Sequence, residues 1–137
     1  MKALYTAIAT AIGGREGRVR SSDGMIDLNV QIPKEMGGRG GATNPEQLFA
    51  AGYAACFDSA LNLVLRQSKL RPESTAVTAE VSIGSNDNGG FGLSVKLAVE
   101  IKGIDPAQAR EATEKAHQVC PYSNATRGNI DVDIELI

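Results

Sequence analysis

Tryptophan is missing from this sequence, histidine occurs once, and cysteine occurs twice, at Cys56 and Cys120. Two cysteines cannot build a multi-cysteine zinc site or staple a disulfide-rich mini-protein, so no metal is expected. A basic excess is lacking too. Lys and Arg total 14 against 16 Asp plus Glu, for a net charge of -2. Phosphate backbones select strongly basic surfaces, so nucleic acid is set aside as a partner. No uninterrupted apolar run reaches 18 residues, and the opening MKALYTAIATAIGG alternates like a strand instead of joining a basic region to an apolar signal stretch. A soluble, cytoplasmic protein with no membrane partner is the expectation. What remains is 137 residues, 42% hydrophobic and 22% charged, a balance that suits one core and a single domain over 1–137.

Turn residues divide the chain. Lys2 to Ala11 reads as a strand, broken by Gly13-Gly14-Arg15-Glu16-Gly17-Arg18, whose glycines tolerate positive φ. After a turn at Ser21-Ser22-Asp23-Gly24, Ile26, Leu28, Val30 and Ile32 alternate with polar residues as a half-buried strand would. Gly37-Gly38-Arg39-Gly40-Gly41 lacks the Lys-Ser or Lys-Thr of a phosphate-binding loop. Asn44-Pro45-Glu46-Gln47 carries the signals of a helix start: an N-cap, a first-position proline, an acid near the positive dipole end, and Gln47 placed to complete a capping box. That helix should run to about Ser68. It is apolar around most of its circumference, which calls for burial by the fold or by a second copy of the chain.

A hairpin follows, Ala76–Ile83 and Phe91–Ile101 about a turn at 86–90. Asp105-Pro106 opens a second helix that ends near Cys120, because the residue before Pro121 is driven from helical ψ. Ile130, Val132, Ile134 and Leu136 alternate as a closing strand. Three strands, helix, two strands, helix, strand predicts an α+β fold, mostly antiparallel, with a long buried central helix.

Cys56 sits among Ala and Phe in the apolar helix, where a thiol ordinarily behaves as a small hydrophobe with a raised pKa. A reactive Cys56 needs a cation from elsewhere. Cys120 precedes Pro121 and would lie at a new helix start, a setting that favours thiolate. Arg15, Arg18 and Arg127 are the candidate cations. Their glycine neighbours allow close backbone approach while a guanidinium points inward. His117, one turn before Cys120, reads better as a surface or capping residue than as a base paired with the thiol.

The run TNPEQLFAAGYAACF over 43–57, HQVCPYSNATRGN over 117–129, and Gly13-Gly14-Arg15-Glu16-Gly17-Arg18 together resemble the organic hydroperoxide resistance proteins of the OsmC/Ohr superfamily. The resemblance covers essentially the whole chain. It implies the OsmC-like fold as an intertwined homodimer, and a thiol peroxidase that reduces organic hydroperoxides to alcohols. By matching position it implies Cys56 as the peroxidatic cysteine, Cys120 as the resolving cysteine, and Arg15 with Glu46 as the pair that prepares the site. It further implies no bound cofactor and recharging by an external dithiol, dihydrolipoamide or a lipoylated protein. Ten residues of helix put Glu46 about 15 Å from Cys56 along the axis, so Glu46 would act through Arg15 or serve the other subunit's thiol. Phe49, Tyr53, Phe57 and Leu61 are expected to line an apolar pocket for the hydroperoxide tail. A general dithiol-disulfide reductase, a redox-sensing dimer and an inert interaction module are the competing readings.

Overall fold

The computed structural model describes residues 1–137, which divide into two compact units, Met1–Leu48 and Phe49–Ile137. In the first unit, β1 (Ala9–Ile12), β2 (Arg18–Ser21) and β3 (Asp27–Asn29) form an antiparallel sheet in that order. Between β1 and β2 a single 3-10 turn holds Gly14–Glu16. Gly13 and Gly14 there take φ of 78° and 57°, which side-chain-bearing residues avoid. Gly17 is required by space: a Cβ on it would lie 1.7 Å from the Ile12 carbonyl oxygen.

Two expectations are corrected here. The first strand covers only 9–12, and residues 2–8 form no regular element. The alternating segment 26–32 contributes a three-residue strand whose residues are exposed, Val30 being the one buried hydrophobic residue of this unit. Alternation marks a face able to be covered, and Ile26 and Leu28 on this one are exposed.

Helix α1 (Pro45–Gln67) starts where its signals place it. Asn44 Oδ1 accepts from the Gln47 backbone N–H at 2.8 Å, and Pro45 is the first helical residue. The capping box does not close: Gln47 Oε1 accepts instead from the Thr43 hydroxyl at 2.9 Å. By length and composition alone α1 would span a membrane. Its Tyr53, Phe57, Ala60, Leu61, Val64 and Leu65 are instead buried in the core.

The second unit is a long hairpin, β4 (Ser74–Ser85) with β5 (Phe91–Lys102), turned by Asn86, whose side chain accepts from the backbone N–H groups of Asn88 and Gly90. Helix α2 (Pro106–Val119) is capped by Asp105, and the short α3 (Pro121–Thr126) follows. Strand β6 (Val132–Leu136) then pairs with β5 in parallel, the one parallel pairing between full strands. Val95, Leu97 and Val99 of β5 form the core floor against the buried face of α1 and Ala112 and Ala116 of α2.

Candidate active site

Cys56 lies on α1, half-buried, and Cys120 lies fully buried at the corner where α2 ends and α3 begins. Pro121 forces that corner, because Cys120 must leave helical ψ before it. The two sulfurs are 3.6 Å apart and unbonded. Burial is the largest influence on the Cys56 thiol and pushes its pKa up. The Tyr122 backbone N–H opposes that rise, and the neighbouring Cys120 thiol adds to it. Burial within this unit therefore favours the protonated Cys56 thiol over the thiolate.

Arg15 and Glu46 belong to the first unit, where they form a two-pronged ion pair, Nη1 to Oε2 at 2.8 Å and Nη2 to Oε1 at 2.7 Å. The hydrogen bonds from Arg15 hold the Glu46 carboxyl below its ordinary range against the opposing effect of burial. Such a fork fixes the guanidinium plane as a lysine could not. Of the other candidate cations, Arg18 pairs with Asp27 at 2.6 Å. Arg127 donates to Asn124 Oδ1 and to the His117 carbonyl.

The four residues expected to line a pocket separate. Tyr53, Phe57 and Leu61, spaced one turn apart, share the face of α1 that packs in the core and are fully buried, so they present no open surface. Phe49 alone of the four lines an open cavity of about 880 Å³, together with Tyr122, Phe91, Leu93 and Ile130. Phe49, Tyr53 and Tyr122 form an aromatic cluster with ring centroids 5.7–6.0 Å apart. Tyr122 lies against α1 because position 52 is glycine: a Cβ there would stand 2.9 Å from the Tyr122 hydroxyl.

Sequence reasoning missed a buried polar chain. The Tyr53 hydroxyl lies 2.9 Å from Ser123 Oγ and 3.1 Å from Thr126 Oγ1, and Ser123 Oγ lies 2.8 Å from His117 Nδ1. His117 thus meets Ser123 rather than Cys120, and burial with the nearby Arg127 charge holds its imidazole below the usual pKa. The available signal was Ser123 and Thr126 at helical spacing after Pro121. No cluster of three or more His, Cys, Asp or Glu side chains suited to a metal is present.

The family model for OsmC-like protein matches residues 38–135, which include both cysteines and their helices. The chain belongs to this family. Within the family it is similar to the organic hydroperoxide resistance protein of Xanthomonas axonopodis pv. citri, 56% identical over 137 residues and covering 98% of this chain and 96% of that one. Among solved structures, an organic hydroperoxide resistance protein from Elizabethkingia anophelis matches with a TM-score of 0.96 and 55% identity, covering 99% and 98% of the two chains. One from Legionella pneumophila matches with a TM-score of 0.95 and 52% identity, covering 98% of each. The resemblance and the OsmC-like α+β fold expected from the sequence hold.

Proposed function

We propose that residues 1–137 act as one OsmC/Ohr-like domain, in a homodimer, as a cysteine peroxidase for organic hydroperoxides, with a role in oxidative stress defence. The observation that carries this reading is the unbonded sulfur pair, 3.6 Å apart, one half-buried and the other fully buried. The relatives named for organic hydroperoxide resistance support the substrate class.

In the proposed cycle the Cys56 thiolate attacks the distal peroxide oxygen. The S–O bond forms, the O–O bond breaks, and the departing alkoxide takes a proton to become an alcohol. Cys120 then attacks the sulfenic sulfur, forming the S–S bond as the S–O bond breaks and water leaves. An external dithiol, dihydrolipoamide or a lipoylated protein, reduces the disulfide to two thiols and is itself oxidised to a cyclic disulfide. Arg15, oriented by Glu46, is assigned the stabilisation of the thiolate and of charge arriving on the leaving oxygen.

The homodimer reading rests on exposed apolar surface. Ile8, Ile12, Met25, Ile26 and Leu28 are exposed around a sheet whose unit buries only Val30. A 48-residue unit with so little buried apolar area does not hold its fold alone, and a second copy is the cover consistent with the family. Cytoplasmic location follows as part of the same proposal, since lipoyl dithiols belong to a reducing compartment.

Steady-state assays with cumene or tert-butyl hydroperoxide, comparing dihydrolipoamide, thioredoxin and glutathione, test the proposal. Rapid turnover with the lipoyl dithiol supports it. Disulfide exchange with protein substrates but none with hydroperoxide would select the dithiol-disulfide reductase instead.

A further inference from the structure

Tyr53, Ser123 and Thr126 are buried polar side chains that the proposed cycle does not use, and their hydroxyls meet one another and His117 in one continuous chain. A buried hydroxyl set of this kind is costly unless every member is paired, and no buried side-chain polar atom here lacks a partner. Its placement is specific. Tyr53 lies on α1 three residues before Cys56, Ser123 lies on α3 three residues after Cys120, and His117 lies on α2 three residues before Cys120. The three elements that this chain ties together are the three that set where the two sulfurs stand.

We propose that the Tyr53–Ser123–His117 chain positions Cys120 toward Cys56 and thereby sets the speed and stability of disulfide formation. The proposal rests on the assignment of Cys56 and Cys120 as the reacting pair. The Tyr53–Ser123 contact fixes the register of α3 along α1. The His117–Ser123 contact braces the α2/α3 corner, and the Arg127 side chain reinforces it by donating to the His117 carbonyl. Without the chain, the apolar core would still bury α1 and α2, because Leu61, Leu65, Leu97 and Val99 are independent of it. Cys120 would keep its burial but lose its aim. Disulfide closure brings the sulfurs from 3.6 Å to about 2.0 Å, and reactivity at such ranges falls steeply with misplacement. Tyr53, Ser123 and His117 are therefore positioning residues.

The test uses the full chain equilibrated with reduced and oxidised glutathione. Cys56 attacks oxidised glutathione to give a mixed disulfide and one glutathione thiol. Cys120 then attacks Cys56 Sγ and displaces the second glutathione. The ratio of the intramolecular to the mixed disulfide at equilibrium, multiplied by the concentration of free glutathione thiol, gives the effective concentration of Cys120 at Cys56. Ser123→Ala and His117→Leu should lower it about tenfold or more, while His117→Asn, which keeps a polar atom near the Nδ1 position, should restore most of it. Cys56 alkylation rates should stay close to those of the unsubstituted protein, and all measurements are made well below each variant's Tm. Should Ser123→Ala fail to fold, Tyr53→Phe removes one oxygen from the same chain and carries the test.

An unchanged effective concentration in the folded variants, or His117→Asn behaving like His117→Leu, overturns the proposal. Because glutathione replaces hydroperoxide throughout, a protein that ignores cumene hydroperoxide yet shows the tenfold loss would refute the peroxidase reading and sustain this one. Normal peroxidase turnover with no such loss would do the reverse.

Discussion

Oxidation of the sulfur pair should raise thermal stability by an amount the chain length sets. A bond between Cys56 and Cys120 closes a loop across 64 positions. In the chain-entropy description, a loop of that length removes about 4 kcal/mol of unfolded-state freedom, which is a ceiling because native strain subtracts from it. The native cost is the inward movement of sulfurs that already stand 3.6 Å apart, one of them on a single-residue corner that can rotate with little disturbance to α2 or α3. At a few degrees per kcal/mol for a chain of this size, the disulfide form should melt about 10 °C above the dithiol form. The assay is differential scanning calorimetry of reduced protein and of protein oxidised with one equivalent of cumene hydroperoxide, at one fixed protein concentration, with thiol titration confirming loss of both free thiols. Cys120→Ser, treated identically, should show no rise. An oxidised form melting at or below the reduced form would refute the reasoning, since the pair would then be bonded only at the expense of the fold.

Cys56→Ser should abolish peroxidase turnover, whereas Cys120→Ser should consume about one equivalent of hydroperoxide and stall with an oxidised Cys56, as read by mass spectrometry. Leu61→Ala, in the core rather than in a substrate pocket, should cost about 2–5 kcal/mol of stability by denaturant melts while leaving the ratio of kcat/KM for cumene hydroperoxide over hydrogen peroxide within about twofold. Glu46 titrates below its unfolded value near 4.5 because Arg15 holds its charged form, so the pair's contribution is present above that pH and disappears as pH falls through the lowered folded value. The side chains of Arg15 and Glu46 are 34% and 13% exposed, so solvent screening limits the effect, and Glu46→Gln should flatten the acid side of the stability curve by only about 1 kcal/mol. A Glu46→Gln curve that overlays the unsubstituted one above pH 4.5, where the pair's contribution is fully present, would contradict this assignment.

Local chemistry was legible at helix starts and tight turns. Asn44 and Asp105 cap their helices, Asn86 turns the hairpin, and Pro121 makes the corner at Cys120, each through contacts a few residues away. The alternation of Leu93 through Ile101 placed β5 because one of its faces meets the core. The same alternation misled in the first unit, where Ile26 and Leu28 are exposed: period two reports that a face is apolar, not that anything lies on it. Helix α1 misled in another way. Apolar nearly all round, it gave no sign of which stripe turns inward, so Tyr53, Phe57 and Leu61 read as pocket when they are core. The contacts of Tyr53 with Ser123 and of Arg15 with Glu46 span 70 and 31 positions, and no periodicity encodes pairings at such range.

Burial gives the proposed site both its selectivity and its difficulty. Apolar surroundings make a greasy hydroperoxide tail welcome, yet they raise the Cys56 thiol and so deplete the thiolate that must attack. The Tyr122 N–H recovers part of that loss but carries no full charge. Arg15 carries one, although its pairing with Glu46 leaves the couple neutral, and a neutral couple attracts a thiolate far less than a lone cation does. The compensation lies in directed donors. A guanidinium has five N–H groups, and the fork to Glu46 engages two of them. The remaining three are held in a fixed plane, and bonds from a guanidinium strengthen as charge gathers on their acceptors. In the proposed cycle Glu46 thus trades net charge for orientation of Arg15, which helps most when the charge to be stabilised moves from sulfur to oxygen during a single step.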